Sequence, residues 1–81
     1  MAAMLSGHGF TFSHRIMLVR THMGLDLTDF AWLLEISPAT YRAYESGHDY
    51  PDMRELGRIA SRTGAPKEWL MGIGDTFPWG G

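Results

Sequence analysis

The positions of glycine and proline most limit what this chain can fold into. Together with the capping residues beside them, they divide most of the sequence into short stretches. The stretches carry apolar residues at helical spacing, and none shows the alternating pattern of a β-strand. The boundaries are marked by Gly24, the Ser37-Pro38 pair, Gly47, Pro51, Gly64, Pro66 and Gly72. The sequence therefore predicts an all-α domain of short helices.

Five helices are predicted from caps and apolar positions. The first follows Ser13 as its N-cap and carries Ile16, Val19 and Met23 on one face. Pro38 suits the first position of the third helix, because its missing N–H would have no partner there. The predicted helices span about residues 14–23, 27–34, 38–46, 52–63 and 66–71. We assign residues 1–12 to an N-terminal arm, 13–72 to the helical domain and 73–81 to an aromatic C-terminal tail.

Composition restricts the class of function. The 81 residues have a formal net charge of −2, so the whole protein has no electrostatic attraction to phosphate. Cysteine is absent, and the four histidines lack the i, i+4 spacing of a helical zinc site. No nucleophile elbow, carboxylate pair or phosphate-binding loop is recognisable. We therefore expect a protein that is not an enzyme and that binds no metal, cofactor or small-molecule effector.

The N-terminal residues lack the basic start and long apolar stretch of a signal peptide. No apolar run is long enough to cross a bilayer. These features predict a cytoplasmic protein with no membrane partner.

A specific pattern lies between Leu27 and Ser46. Its fifth, eighth, tenth, fifteenth and eighteenth places are held by Ala31, Leu34, Ile36, Tyr41 and Tyr44. This pattern resembles the helix-turn-helix unit of the phage repressor and Cro family (Cro/C1-type, XRE-like), whose two helices cross steeply around a small residue. The resemblance covers about residues 13–72, from RIMLVRTHMGL through YESG to RIASRTGAPKEWLMG.

The resemblance implies a five-helix, lambda-repressor-like DNA-binding domain. It implies a sequence-specific transcriptional regulator of phage Cro or repressor type, associated with the nucleoid of a bacterial host. Such a protein binds a double-stranded operator as a homodimer, with the recognition helix, residues 38–46, in the major groove.

The resemblance also implies which residues contact DNA. The base-contacting positions correspond to Ser37, Pro38, Ala39, Thr40 and Ala43. We add Arg42, because a guanidinium can donate two hydrogen bonds to guanine, and the alanines can contact the methyl group of thymine. Phosphate contacts are expected at Thr28, Ser46, His48 and Arg54.

Arg20 and Glu45 are assigned a structural role. They occupy the places where this family pairs an arginine of the first helix with a glutamate near the end of the recognition helix. If such a pair is partly buried, it fixes the relative pose of the two helices, and removal of one partner costs about 3–5 kcal/mol.

Three features of the chain depart from the family pattern. Leu27 replaces a common phosphate-binding Gln, and Glu35 replaces the usual turn Gly, so a non-glycine residue adopts the left-handed conformation at a cost of about 1 kcal/mol. The chain also contains no Asn or Gln, so the two-bond recognition of adenine is absent. The acidic charge balance and the amide-free recognition helix favour an alternative function. The alternative is a helix-turn-helix scaffold that binds a host regulator or polymerase through Trp32 and Leu18, with weak or no DNA binding.

Large apolar side chains stand where this fold normally faces water. They are Met17, Leu18, Leu27 and Trp32, and Phe10, Phe12, Phe77 and Trp79 lie in the terminal segments. Either the arm and tail cover the helices and enlarge the core, or the side chains form a protein-binding surface. The residues assigned to a dimer or partner surface are Leu18, Trp32, Trp69, Met71, Phe77 and Trp79.

Overall fold

The computed structural model describes residues 8–74 and 77–79, with side chains from residue 11 onward. Five α-helices follow one another: α1 (His8–Met23), α2 (Leu27–Leu33), α3 (Pro38–Ser46), α4 (Met53–Thr63) and α5 (Lys67–Leu70). These described residues contain no strand, and none of their helices is long and apolar enough to cross a membrane. The predicted all-α fold and the order of its five helices are confirmed.

Side-chain caps fix the starts of α2, α3 and α4. Asp26, Ser37 and Asp52 each accept a hydrogen bond from the backbone N–H three residues later, which satisfies a donor left unpaired at a helix start. Gly47 and Gly64 follow the ends of α3 and α4 in the left-handed conformation, with φ of 82° and 83°. The lengths of these helices therefore follow from local sequence.

The start of α1 differs from the prediction. The helix begins at His8 instead of at about residue 14. Ser13 is not its N-cap but an internal residue whose exposed fraction is 7%. The reason is Phe12, which is fully buried and extends the apolar face of Ile16 and Val19 by one turn. Residues 8–12 thus form helix and not an arm, whereas residues 1–7 and the Phe10 side chain lie outside the described part.

The core is built around aromatic side chains. Phe30 and Tyr41 are fully buried, and their rings meet edge to face with centroids 5.2 Å apart. Phe12 makes similar contacts with Tyr44, at 5.7 Å, and with Tyr50, at 5.3 Å. The remaining fully buried large side chains are Ile16, Val19, Leu34, Leu56, Ile59 and Leu70. This core packs the inner face of α3 against α1 and α2.

The turn between α2 and α3 is linked to α4. Glu35 has a φ of 62°, so the predicted left-handed conformation of a non-glycine residue is confirmed. Its carboxylate lies 2.5 Å from Arg62 Nη2 and 3.9 Å from Arg58 Nη1. These pairs connect the turn to the fourth helix.

Candidate nucleic-acid interface

The third helix has an inner and an outer face. Tyr41 and Tyr44 enter the core on the inner face. At 100° per residue, helix positions three, four or seven residues apart share a face, and one such set lies opposite these two tyrosines. Those positions form what we call the outer stripe of α3, which consists of Ala39, Arg42, Ala43 and Ser46. Three members of the stripe are exposed and Ala43 is partly exposed, so α3 presents two methyl groups, a guanidinium and a hydroxyl.

Two hydroxyl groups are held at the N-terminal end of α3. Ser37 Oγ accepts a hydrogen bond from the Thr40 backbone N–H at 3.1 Å and donates one to Thr40 Oγ1 at 2.9 Å. Pro38 occupies the first turn of the helix beside them. All six predicted base-contacting residues therefore lie on the N-cap and outer side of one helix, and none of them is buried.

The arginines around α3 divide into paired and unpaired groups. Arg58 forms an ion pair with Glu55 at 2.6 Å in addition to its contact with Glu35, and Arg62 also pairs with Glu35. Arg42 and Arg54 are exposed, and neither forms an ion pair with any described residue. Arg42 and Arg54 are therefore available to an external anion, whereas the charges of Arg58 and Arg62 are already offset.

The other predicted phosphate contacts lie at the ends of α2 and α3. Thr28 is exposed in the first turn of α2. Beyond α3, Ser46 Oγ donates to the Ala43 carbonyl at 3.1 Å and lies 2.7 Å from His48 Nδ1. Ser46 and His48 thus form a hydrogen-bonded pair at the C-terminal end of α3, and both residues are exposed.

Three aspartates lie near the same helix ends, where a free carboxylate opposes phosphate. Asp26 and Asp52 direct their carboxylates to the backbone N–H groups of Asp29 and Glu55. Asp49 accepts a hydrogen bond from the Tyr50 backbone N–H. Each of these negative charges is partly offset by the N–H group that donates to it, and those of Asp26 and Asp52 also by the helix starts they cap.

A hydrogen-bonded group centred on Glu45 sets the orientation of α3. Arg20 Nε donates to one Glu45 oxygen at 2.5 Å and Nη2 donates to the other at 3.4 Å. The Tyr41 hydroxyl also donates to Glu45, and Arg20 Nη1 donates to the Leu25 carbonyl at 3.1 Å. The Arg20 and Glu45 side chains are 20% and 13% exposed. The pair assigned from the sequence is thus formed, and it joins α1 to α3.

The raised pKa values of Arg20 and Tyr41 keep both side chains protonated, as their hydrogen bonds to Glu45 require. The hydrogen bond with Glu45 raises the pKa of Arg20. Burial, followed by the hydrogen bond to Glu45, raises the pKa of the Tyr41 hydroxyl far above its ordinary value. Arg20 therefore remains charged and Tyr41 remains a donor.

Trp69 does not belong to the predicted partner surface. Its exposed fraction is 6%, and it is part of the core. The Arg15 guanidinium lies 4.9 Å from its ring centroid, and Arg15 Nη1 donates to the Trp69 carbonyl at 2.8 Å. Leu18 and Met71 are also partly buried against the core. Trp69 is buried because α1 packs against α5, a contact that helical spacing alone does not reveal.

The C-terminal aromatic residues pack on the helices. The Phe77 ring lies 5.4 Å from Trp69, and the Trp79 ring stacks on His22 with centroids 4.6 Å apart and an interplanar angle of 2°. Within the described residues, the tail therefore packs over α1 and α5. For the tail, this agrees with the explanation in which the terminal segments cover the helices. Trp32 is different, because it remains 62% exposed on the outer side of α2.

Sequence reasoning missed two contacts near this surface. The bond between Tyr41 and Glu45 had a local signal, because i, i+4 pairs meet on one side of a helix. The contact between Glu35 and Arg62 had no local signal, since it depends on how α4 packs beside the turn.

The described residues enclose no pocket and no group of side chains able to hold a metal ion. The candidate site is the outer side of α3, where the exposed stripe lies.

Comparison with known families agrees with this geometry. A helix-turn-helix family model matches residues 16–70, which is more than half of the chain. A search of curated proteins and a search of solved structures found no match. The matched range contains both helices of the unit, their caps and the pair between α1 and α3. The chain belongs to the Cro/C1-type, XRE-like helix-turn-helix family.

Proposed function

We propose that the protein is a sequence-specific DNA-binding transcriptional regulator of phage Cro or repressor type. One observation carries the proposal: the outer stripe of α3 is exposed, while the Glu45 group holds the inner side of the same helix in place. The family match supports a DNA-binding role. In this function α3 lies in the major groove, with its N-terminal residues at the base edges.

The surrounding residues are suited to bind the two phosphate backbones. Thr28 lies in the first turn of α2 and Arg54 in the first turn of α4, while Ser46 ends α3 and His48 follows it. Because few cations contact DNA, the affinity is modest. A plot of the logarithm of the affinity against the logarithm of the salt concentration then has a slope of about −0.9 for each phosphate neutralised. Specificity then depends mainly on the outer stripe and its Arg42.

A homodimer is part of this proposal. Two-fold symmetry places the half-sites of an operator about 34 Å apart. Apolar side chains remain exposed after α5, where Ile73 is 61% exposed and Trp79 is 37% exposed. Together with Met71 and Phe77 they supply the contact between two copies, whereas Trp69 is buried within each copy.

A DNA titration tests the function. The wild-type protein is titrated with the duplex upstream of its own coding sequence and with a random duplex, at low and moderate salt. We expect a preference for the upstream duplex that Arg42→Ala reduces by about 1–3 kcal/mol. Arg54→Ala is the matched control and weakens binding to both duplexes equally. Equal, feeble binding to both duplexes that is unchanged in Arg42→Ala would contradict the proposal.

A second candidate function rests on Trp32. Its large exposed ring on the outer side of α2 suits contact with a host regulator or a polymerase subunit, because Trp is enriched at the centres of protein interfaces. Replacing Trp32 by Ser should abolish capture of such a partner without lowering the unfolding temperature. A lower unfolding temperature with unchanged capture would show that Trp32 serves the fold.

A further inference from the structure

The hydrogen bonds at the start of α3 assign roles to its hydroxyl groups. Ser37 Oγ accepts from the Thr40 N–H and donates its own hydrogen to Thr40 Oγ1. Thr40 Oγ1 accepts that hydrogen, so its own hydrogen is available to an external acceptor. Thr40 therefore presents a hydrogen-bond donor at the end of the helix that enters the groove.

The outer stripe of α3 is also poor in acceptors. It contains no carboxylate and no amide, and Arg42 is only a donor. Ser46 Oγ donates to the Ala43 carbonyl and lies within hydrogen-bond distance of His48 Nδ1, so this hydroxyl is already engaged within the protein. The recognition surface thus consists of donors at Thr40 and Arg42, with methyl groups at Ala39 and Ala43.

The major groove contains a matching set of groups. Guanine presents two acceptors, N7 and O6, and thymine presents the O4 acceptor and a C5-methyl group. Cytosine and adenine present amino donors, which need an acceptor on the protein. A surface of donors and methyl groups therefore matches a guanine with a thymine in the neighbouring base pair, on either strand.

We propose that α3 recognises its half-site through thymine methyl groups beside a guanine. Ala39 and Ala43, one helical turn apart, contact the methyl groups, and Arg42 donates to guanine N7 and O6. This inference rests on the proposed function, because it requires α3 in the major groove. It adds that the C5-methyl group, and not only the hydrogen-bonding edge, determines which DNA is bound.

The test begins with selection of bound sequences from a random duplex pool. In the selected duplex, each thymine of the half-site is replaced in turn by deoxyuridine, which lacks only the C5-methyl group. We expect each contacted thymine to lose about fourfold in affinity, the effect of one buried methyl. Deoxyuridine outside the half-site is the control and leaves affinity unchanged.

Variants assign the contacts. In Ala39→Gly or Ala43→Gly, whose folding is checked by circular dichroism, deoxyuridine at the contacted thymine should have no further effect. Ala43→Ser keeps a Cβ atom and provides a second variant if the glycine change unfolds the helix. Replacing guanine by 7-deazaguanine, which lacks the N7 acceptor, should weaken binding of the wild type but not of Arg42→Ala.

The outcomes separate the two proposals. A pool that yields no enriched sequence overturns the DNA-binding function and this inference with it. An enriched sequence whose affinity is unchanged by every deoxyuridine replacement overturns the inference alone. A half-site without thymine does the same.

Discussion

At Glu45 one carboxylate receives hydrogen bonds from two different helices. Arg20 approaches from α1, and Tyr41 lies one turn earlier on α3 itself. Removing the carboxylate leaves a largely buried guanidinium without its anion, whereas removing the tyrosine hydroxyl leaves the ion pair intact. The two changes therefore have different energetic consequences.

We expect Glu45→Ala to lower the free energy of unfolding by about 3 kcal/mol, the lower part of the range for breaking a buried pair. Tyr41→Phe, which keeps the buried ring, should cost about 1 kcal/mol. Urea unfolding of the two variants and the wild type measures both values. If Glu45→Ala costs no more than Tyr41→Phe, the ion pair does not hold α3 in place.

Alkaline pH provides a test of Tyr41 itself. Burial raises the pKa of Tyr41 in the folded protein, so above pH about 10 only the unfolded chain loses this proton. The unfolded state then binds fewer protons, and stability falls as pH rises, by up to about 1.4 kcal/mol per pH unit for one group.

The free energy of unfolding, measured from pH 8 to pH 11, should fall less steeply in Tyr41→Phe than in the wild type. Part of the slope must remain in the variant, because burial also raises the pKa of Tyr44 and Tyr50. Identical slopes would show that Tyr41 titrates alike in both states.

At the scale of elements, the turn between α2 and α3 combines backbone strain with side-chain pairing. Glu35 is left-handed, and its carboxylate contacts two arginines of α4. These side chains are roughly half exposed, so each ion pair contributes at most about 1 kcal/mol. Backbone strain and ion pairing can be separated by two substitutions at this one position.

Glu35→Gln and Glu35→Gly both remove the charge, but only glycine relieves the left-handed conformation. We expect Glu35→Gly to be more stable than Glu35→Gln by about 1 kcal/mol. Thermal unfolding of the two variants at one pH measures the difference. Equal unfolding temperatures would mean that the turn stores no backbone strain.

The difference between local and long-range contacts explains which parts of the fold the sequence predicts. The caps at Asp26, Ser37 and Asp52 act within one turn, so the starts of three helices were predictable from local residues. The start of α1 was not, because it depends on contacts of Phe12 with Tyr44 and Tyr50, far away in the chain.

The candidate site divides in the same way. The outer stripe of α3 followed from helical spacing and from the family resemblance. The burial of Trp69 did not, since it requires the packing of α5 and the tail against α1. The ion pairs of Arg58 and Arg62 with Glu35 likewise join separate elements, and no local pattern indicates them.

For the whole molecule, two tryptophans differ in what surrounds them. Trp79 stacks on His22 of α1 and contacts Phe77, while Trp32 stands largely exposed on α2. The same substitution at the two sites therefore tests whether the C-terminal segment contributes to the fold.

Trp79→Ala should lower the free energy of unfolding by about 1 kcal/mol, because a stacked aromatic pair is lost. Trp32→Ala is the matched control and should change stability by less than about 0.5 kcal/mol. Chemical denaturation of both variants gives the comparison. A larger loss at Trp32 than at Trp79 would reverse the assignment of these residues to surface and fold.

The two faces of α3 use separate sets of side chains. Its inner residues and Glu45 set the position of the helix, and its outer stripe makes no contact that the core requires. In the proposed function, the DNA preference can therefore change by mutation of the outer stripe without loss of folding. For protein engineering, the helix is a cassette in which Ala39, Arg42 and Ala43 can be randomised to obtain regulators for new operators.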